Sequence, residues 1–187
     1  WETDAADIGG VKFHVGNKFM DLSSNIVLDA NTDFIIAVRF KATDLSASRG
    51  LMGSSGSEFL RLNNNTTLRV KINNTSRDFA LASGTIATDE YFTILIVRSD
   101  NSTGNINVFI RGNESLDGTA TGTQVGSQIA DAGEITISDI GATTDNPSDS
   151  PEDSGNFRGF FKDVLIWDGT AASSGDRKEI FDYIEGQ

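Results

Sequence analysis

Apolar and polar residues alternate with a period of two along at least six segments of this chain. The segment 34–40 is the clearest, because Phe34, Ile36, Val38 and Phe40 occupy every second position. Successive side chains of a β-strand point to opposite sides, so the pattern predicts strands with one face for a core and one for solvent or ligand. Similar patterns predict strands at 11–15, 60–62, 68–72, 94–98, 105–111, 134–140 and 160–167.

Short polar segments join two pairs of these strands as hairpins. Residues 63–66 separate the first pair, and residues 99–104, rich in Asp, Asn and Gly, separate the second. In the second hairpin Ile106, Val108 and Ile110 are predicted to face inward. Only the C-terminal end has helical spacing, at Ile180 and Ile184, so a short amphipathic helix is expected there.

These elements predict an all-β fold in which two antiparallel sheets pack face to face, with a short C-terminal helix. The chain of 187 residues fits one such domain, so residues 1–187 are expected to form a single domain. Cysteine is absent, which excludes disulfides and thiolate metal sites. No disulfide is needed merely to fold a chain of this size.

The order of several short segments resembles the laminin-G-like, concanavalin-A-like jelly roll. The segments are 34–41, 51–53, 92–98 with 107–112, 135–141 and 157–167, and the last reads Phe-x-Gly-x-x-x-Asp-Val-x-Ile-Trp. A small-residue linker and Glu179-Ile180 follow, as in the family's terminal helix. The resemblance implies a jelly-roll sandwich. It also implies one of the roles of that family. These are glycan binding, calcium-assisted adhesion, service as an accessory module of a polysaccharide-degrading enzyme, and service as a structural domain of a phage particle.

Catalytic patterns are missing from the sequence. Jelly-roll glucanases carry a Glu-x-Asp-x-x-Glu strand, which this chain lacks. The acids occur instead as adjacent pairs such as Asp89-Glu90, and the single histidine, His14, lies on the polar face of a predicted strand. A non-catalytic module is therefore predicted, and a polysaccharide-degrading enzyme is the less favoured alternative.

Charge and hydropathy limit the partners. The formal net charge of −12 opposes nucleic-acid binding, which requires clustered Lys and Arg. No apolar run approaches the ~20 residues of a membrane helix, so no membrane insertion is expected. The charge by itself indicates solubility more than a specific cationic partner.

Cationic and amide side chains on the outward faces of predicted strands form the candidate ligand site. It comprises Asn105, Asn107, Phe109 and Arg111 on one strand and Arg69 and Lys71 on another. Such groups suit glycans, including acidic or sulfated ones. Two alternatives stay open: the cations simply protect solvent-facing sheet surfaces, and Phe109 is covered by the second sheet or the helix. Trp167 is expected in the core.

The polar loop 144–153 collects oxygen ligands of the kind that Ca²⁺ prefers. Asp145, Asp149 and Asp153 are the candidate metal ligands, with Asp139 as a possible fourth. A solvated loop without metal is the alternative. Calcium is the only cofactor that the sequence suggests.

The predicted function is carbohydrate recognition or adhesion by a module outside a cell, on a cell surface or on a virion. The partner would be a glycan or polysaccharide. The alternative is a structural or decoration domain of a virion or surface assembly that contacts other proteins only.

Overall fold

The computed structural model describes residues 11–13, 19–81, 86–100, 104–112, 123–129, 132–142, 155–169 and 172–186. Their regular elements are twelve β-strands and one helix at the C-terminal end. The elements are β1 (Val11–Phe13), β2 (Met20–Leu28), β3 (Phe34–Ala42), β4 (Arg49–Ser55), β5 (Glu58–Asn64), β6 (Thr67–Ile72), β7 (Thr75–Ala80), β8 (Tyr91–Asp100), β9 (Asn105–Gly112), β10 (Thr123–Ile129), β11 (Ile135–Ile140), β12 (Gly159–Asp168) and α1 (Ser174–Glu185).

The strands form two antiparallel sheets of six strands each. Sheet 1 has the order β1-β12-β3-β8-β9-β10, and sheet 2 has the order β2-β11-β4-β5-β6-β7. The predicted fold class is confirmed: an all-β, two-sheet antiparallel jelly-roll sandwich with a short C-terminal helix. The two predicted hairpins are β5–β6 and β8–β9.

The apolar face of each strand packs into the space between the sheets. The inward positions of β9 are confirmed, because Ile106, Val108 and Ile110 are all buried there. They share one core with residues from both sheets, among them Phe34, Ile36, Val38, Phe40, Leu60, Leu62, Leu68, Val70, Ile72, Ile94 and Ile96. Every one of these residues lies at an alternate position of its strand, as the sequence predicts.

Sheet 2 contains a hairpin that the alternation did not predict. Strands β6 and β7 are joined by Asn73 and Asn74, whose φ angles are 45° and 65°. Two successive positive φ angles define a tight reversal whose twist matches the flanking strands, and asparagine tolerates them better than most residues. Asn73 therefore lies in a turn and not in a strand.

Gly159 shows why the closing strand needs glycine where it meets β3. Its φ is +143°, and a Cβ built there would lie 2.0 Å from the carbonyl oxygen of Lys41. Any side chain would clash with that backbone and would also be strained at this φ. The glycine of the closing-strand pattern is therefore required by backbone approach.

A partly buried ion cluster joins the β3–β4 connection to the start of β12. Asp44 accepts hydrogen bonds from Arg49, from the Nη1 of Arg158 at 2.8 Å, and from the backbone N of Ser46 at 2.8 Å. Arg49 is buried and also donates from Nε to the backbone oxygen of Asp44 at 3.0 Å. The hydroxyl of Ser46 is the largest influence that lowers the pKa of Asp44, and the backbone N–H of Ser46 and the charge of Arg49 hold it further below its usual value of 3.8.

Neutralising Asp44 is expected to destabilise the protein at neutral pH. Because the pKa of Asp44 is depressed in the folded state, its contribution is present above the unfolded pKa of 3.8 and is lost as the pH falls below that value. We expect Asp44→Asn to lower the free energy of unfolding by about 2 kcal/mol at pH 7.

Urea unfolding of Asp44→Asn and wild type between pH 7 and pH 3 measures this difference. It should shrink as the pH approaches the lower limit. The exposed Glu90→Gln is the control and should change the stability by less than about 0.5 kcal/mol. A difference that does not depend on pH would contradict the ionic role of Asp44.

Candidate functional site

Helix α1 covers much of the outer face of sheet 1. Its N-terminus is closed by a capping box, in which Ser173 accepts from the backbone of Asp176 and Asp176 accepts from the backbone of Ser173. Phe181 and Ile184 are the buried side chains of the helix. They form a second apolar cluster with Ile35, Ala37, Leu95, Val97 and Phe109. Strands β3 and β8 thus have two apolar faces, one packed in the core and one packed against this helix.

The four candidate ligand residues of β9 lie on this outer face of sheet 1. Phe109 is 7% exposed beneath the helix, with the guanidinium carbon of Arg177 4.3 Å from its ring centre. Asn105 and Asn107 are half-buried, and the Nδ2 of Asn107 donates to the Oγ of Ser99 at 3.0 Å. Phe109 is therefore covered by the helix and not by the second sheet.

Arg111 helps to attach the helix to the sheet. It is buried, its Nε donates to Oε2 of Glu185 at 2.6 Å, and its Nη1 lies 3.3 Å from Oδ1 of Asp182. Its guanidinium carbon also lies 5.4 Å from the ring centre of Phe181. While α1 is docked, Arg111 and Phe109 face the helix and not solvent.

Arg69 and Lys71 lie on the other sheet, on the outer face of β6. They share that face with Arg61 of β5 and Asp78 of β7, because Arg61 and Asp78 are the register partners of Arg69 on either side. Arg69 donates to both carboxylate oxygens of Asp78, each at 2.7 Å. The six predicted ligand residues are thus divided between two faces on opposite sides of the sandwich.

Arg61, Arg69, Lys71 and Asp78 form a cationic patch. Three positive charges meet one carboxylate, in a chain whose net charge is −12. Burial lowers the pKa of Arg61, and the adjacent charge of Arg69 lowers it further. Hydrogen bonding to Asp78 raises the pKa of Arg69, and the charge of the same carboxylate partly offsets the lowering of the Arg61 pKa.

Arg61 keeps hydrogen-bonding capacity at the centre of the patch. Its Nε donates to Oδ1 of Asn63 at 2.9 Å. This is the one hydrogen bond that the Arg61 side chain makes to a described residue. Its guanidinium carbon lies 4.9 Å from the ring centre of Phe59, which supports it from the sheet side. The strand pattern places Arg61 on the outward face, but the six predicted ligand residues did not include it.

Lys71 is held at the edge of the same patch. Its Nζ donates to the backbone oxygen of Gly56 at 2.6 Å and lies 5.7 Å from the ring centre of Phe59. An ammonium has three donors, so the one hydrogen bond leaves two for a ligand or water. The arrangement therefore presents Arg61, Arg69 and Lys71 to solvent from a rigid sheet surface.

Trp167 is not in the core, contrary to the expectation from sequence. Its side chain is 38% exposed on the outer face of sheet 1, beside Ile35 of β3. Tyr183 of α1 is 59% exposed nearby. A bulge in β12 between Phe161 and Asp163 shifts the alternation, so Phe161 packs in the core whereas Leu165 and Trp167 lie on the outer face. A strict period of two could not show this shift.

The candidate calcium ligands Asp145, Asp149 and Asp153 lie outside the described residues. Asp139 is buried and accepts from the Oγ of Ser138 at 2.6 Å. Within the described ranges, no group of three or more His, Cys, Asp or Glu side chains could hold a metal ion. His14 is also outside the described residues. No helix in the described part is long and apolar enough to span a membrane.

Several solved structures resemble this chain. The carbohydrate-binding module (CBM40) of the Ruminococcus gnavus IT-sialidase, with bound α2,3-sialyllactose, superposes with a TM-score of 0.61 at 14% identity, over 91% of this chain and 95% of that one. A heptameric SAP-like pentraxin from Limulus polyphemus gives 0.60 at 12% identity, over 96% and 83%. Domains LG4-5 of the mouse laminin alpha1 chain give 0.53 at 16% identity, over 84% and 40%.

Neither a known family model nor a curated protein matches the sequence. At these levels of identity the structural likeness establishes the fold. It agrees with the strand order and the closing-strand pattern, on which the resemblance to laminin-G-like domains rests. The chain has the concanavalin-A-like jelly-roll fold shared by laminin-G-like domains and carbohydrate-binding modules.

Proposed function

We propose that this protein is a non-catalytic glycan-binding module and that the cationic patch of sheet 2 binds an acidic group of the glycan. The observation that carries the proposal is the unbalanced charge of the patch: Arg61 and Arg69 lie directly opposite each other on adjacent strands, and Asp78, on the far side of Arg69, is one carboxylate for three cations. Like charges directly opposite on a sheet destabilise it. A bound carboxylate or sulfate would remove that repulsion.

The donor geometry suits an oxyanion. A guanidinium presents a planar fork that matches the two oxygens of a carboxylate or the oxygens of a sulfate. Arg61 has its terminal nitrogens available, and Lys71 supplies a point charge at the edge. Asn63 orients Arg61 through Nε, so less side-chain freedom is lost when a ligand binds.

The likeness to the CBM40 of the IT-sialidase supports a carboxylated glycan, because that module holds sialyllactose. The setting that we propose is a surface, secreted or virion protein, where extracellular glycans are reached. In that setting the protein would act in recognition or adhesion.

Titration followed by NMR of the arginine side chains tests the proposal directly. We expect the Nε–Hε resonances of Arg61 and Arg69 to shift with α2,3-sialyllactose and with a sulfated lactose, and not with lactose. Binding should weaken as salt is raised, because the patch is exposed and screening acts over about 10 Å at 0.1 M.

Two outcomes would contradict this assignment. Equal shifts with lactose and sialyllactose would remove the acidic group from recognition. No shift with any acidic glycan would favour the structural alternative, in which the faces contact proteins of a virion or surface assembly. Repeating the titration with calcium and with EDTA tests the predicted ligands Asp145, Asp149 and Asp153.

A further inference from the structure

A shallow groove lies on the outer face of sheet 1, where helix α1 ends its coverage. It has a volume of about 300 Å³ and is lined by Ile35, Trp167, Asp176, Glu179, Ile180 and Tyr183. It is on the opposite side of the sandwich from the cationic patch. The volume is at the lower end of the range for small-molecule sites.

The two walls of the groove come from regular elements. Trp167 of β12 and Ile35 of β3 are register partners, so their side chains lie next to each other on one face. On α1 the lining residues 176, 179, 180 and 183 have the spacing of a single helix face. The groove is therefore built into the docking of the helix and does not depend on a loop.

The lining combines open aromatic surface with acceptors. Trp167 and Tyr183 are the aromatic side chains among the large apolar residues that the described part leaves exposed. Glu179 forms no hydrogen bond or ion pair with a described residue, whereas Asp176 accepts at Oδ2 from the backbone of Ser173 at 2.8 Å. Exposed rings beside carboxylates offer stacking surface and hydroxyl acceptors together.

From this lining we propose that the groove is a second saccharide site, which takes an uncharged sugar unit. The C–H face of a pyranose or furanose ring would lie on Trp167 and Tyr183, and its hydroxyls would donate to Glu179 and Asp176. Two carboxylates disfavour an acidic sugar by like-charge repulsion. This preference is opposite to that of the cationic patch.

The openness of the groove favours a sugar over a small cation. Cation–π attraction is weak at exposed sites, because the cation keeps its hydration. The C–H face of a sugar ring, in contrast, buries area against exposed aromatic rings and still leaves its outer hydroxyls in water. An organic cation such as tetramethylammonium is therefore the competing ligand to be tested.

Tryptophan fluorescence tests the groove separately from the patch. The chain has two tryptophans, and Trp1 lies outside the described residues, so a Trp1→Phe background leaves Trp167 as the only reporter. We expect lactose, cellotriose or arabinotriose to change the Trp167 emission in a saturable way. Because the patch contains no tryptophan, this signal does not depend on whether an acidic glycan binds there.

Substitutions identify the chemistry of the site. In the Trp1→Phe background, Tyr183→Ala should weaken the response to the neutral sugars by about tenfold. Glu179→Gln keeps a hydroxyl acceptor and should change the affinity for these sugars by less than about threefold. Lys178→Gln, on another face of the helix, is the matched control and should have no effect. Unchanged thermal unfolding would show that the helix is still docked.

Three results would overturn the proposal. They are no emission change with any of the three sugars, equal responses of Tyr183→Ala and its parent, and saturation by tetramethylammonium that Glu179→Gln abolishes. The last result would assign the groove to a cation. Loss of the Arg61 shifts with retention of the Trp167 response would reject the acidic-glycan proposal and leave this one standing.

Discussion

Replacing Arg98 by methionine is expected to lower the free energy of unfolding by about 3–5 kcal/mol. Arg98 lies near the C-terminal end of β8, where its side chain points inward and is fully buried. Its guanidinium carbon is 4.6 Å from the ring centre of Phe34. Its Nε donates to the backbone oxygen of Thr32 at 2.6 Å, its Nη1 to that of Gly133 at 2.6 Å and its Nη2 to that of Asp29 at 2.5 Å.

This single side chain therefore joins the two layers of the sandwich. Arg98 belongs to sheet 1, whereas Asp29 and Gly133 adjoin β2 and β11 of sheet 2. Methionine would fill part of the volume but leave three backbone carbonyls without their charge-assisted donors, and such groups are costly when buried. The loss comes from uncompensated acceptors more than from lost packing.

Urea and thermal unfolding of Arg98→Met measure the effect, and the melting temperature should fall by roughly 10 °C or more. Arg98→Lys keeps the charge but cannot reach three acceptors with one ammonium, so an intermediate loss is expected. Lys178→Met, at an exposed position of α1, is the control and should cost less than about 0.5 kcal/mol. A loss no larger than that of the control would show that Arg98 does not hold the sheets together.

Arg61→Gln is expected to weaken binding of acidic glycans by about 10- to 100-fold. The substitution removes the fork at the centre of the patch, and hydrogen bonds to charged groups contribute about 1.5–3 kcal/mol. Stability should be unchanged or slightly higher, because the repulsion between Arg61 and Arg69 disappears. A binding loss without a stability loss is typical of a residue that serves a ligand.

Calorimetric titration with α2,3-sialyllactose measures this change, and Arg61→Lys separates charge from geometry. Lysine should recover part of the affinity, because it restores the charge but not the fork. Lys178→Gln removes an equal charge from the helix on the opposite sheet and should leave the affinity unchanged. Wild-type affinity in Arg61→Gln would remove the patch from acidic-glycan binding.

The strands that sequence reasoning missed are mostly polar or lie at sheet edges. Strand β7 lies at the end of its sheet and pairs there with β6. Its sequence is TSRDFA, in which Phe79 is the one buried apolar residue. Strands β2 and β10 end the sheets in the same way, and β10 reads TQVGSQI. An edge strand needs few apolar residues because its position is decided by backbone pairing with a neighbour, which leaves little trace in hydropathy.

Local alternation by itself determined the two-sheet sandwich, its shared core and the outward direction of Arg69, Lys71, Phe109 and Arg111. Which of these outward faces stay open depends on tertiary packing. Helix α1 covers Phe109 and Arg111, whereas Arg61 joins Arg69 and Lys71 on the outer face of sheet 2, which no described element covers, and Trp167 remains exposed beside the helix. The difference lies in the sequence separation of the interactions. The face to which a side chain points follows from the residues of its own strand, but strand register and helix docking depend on residues far away in the chain.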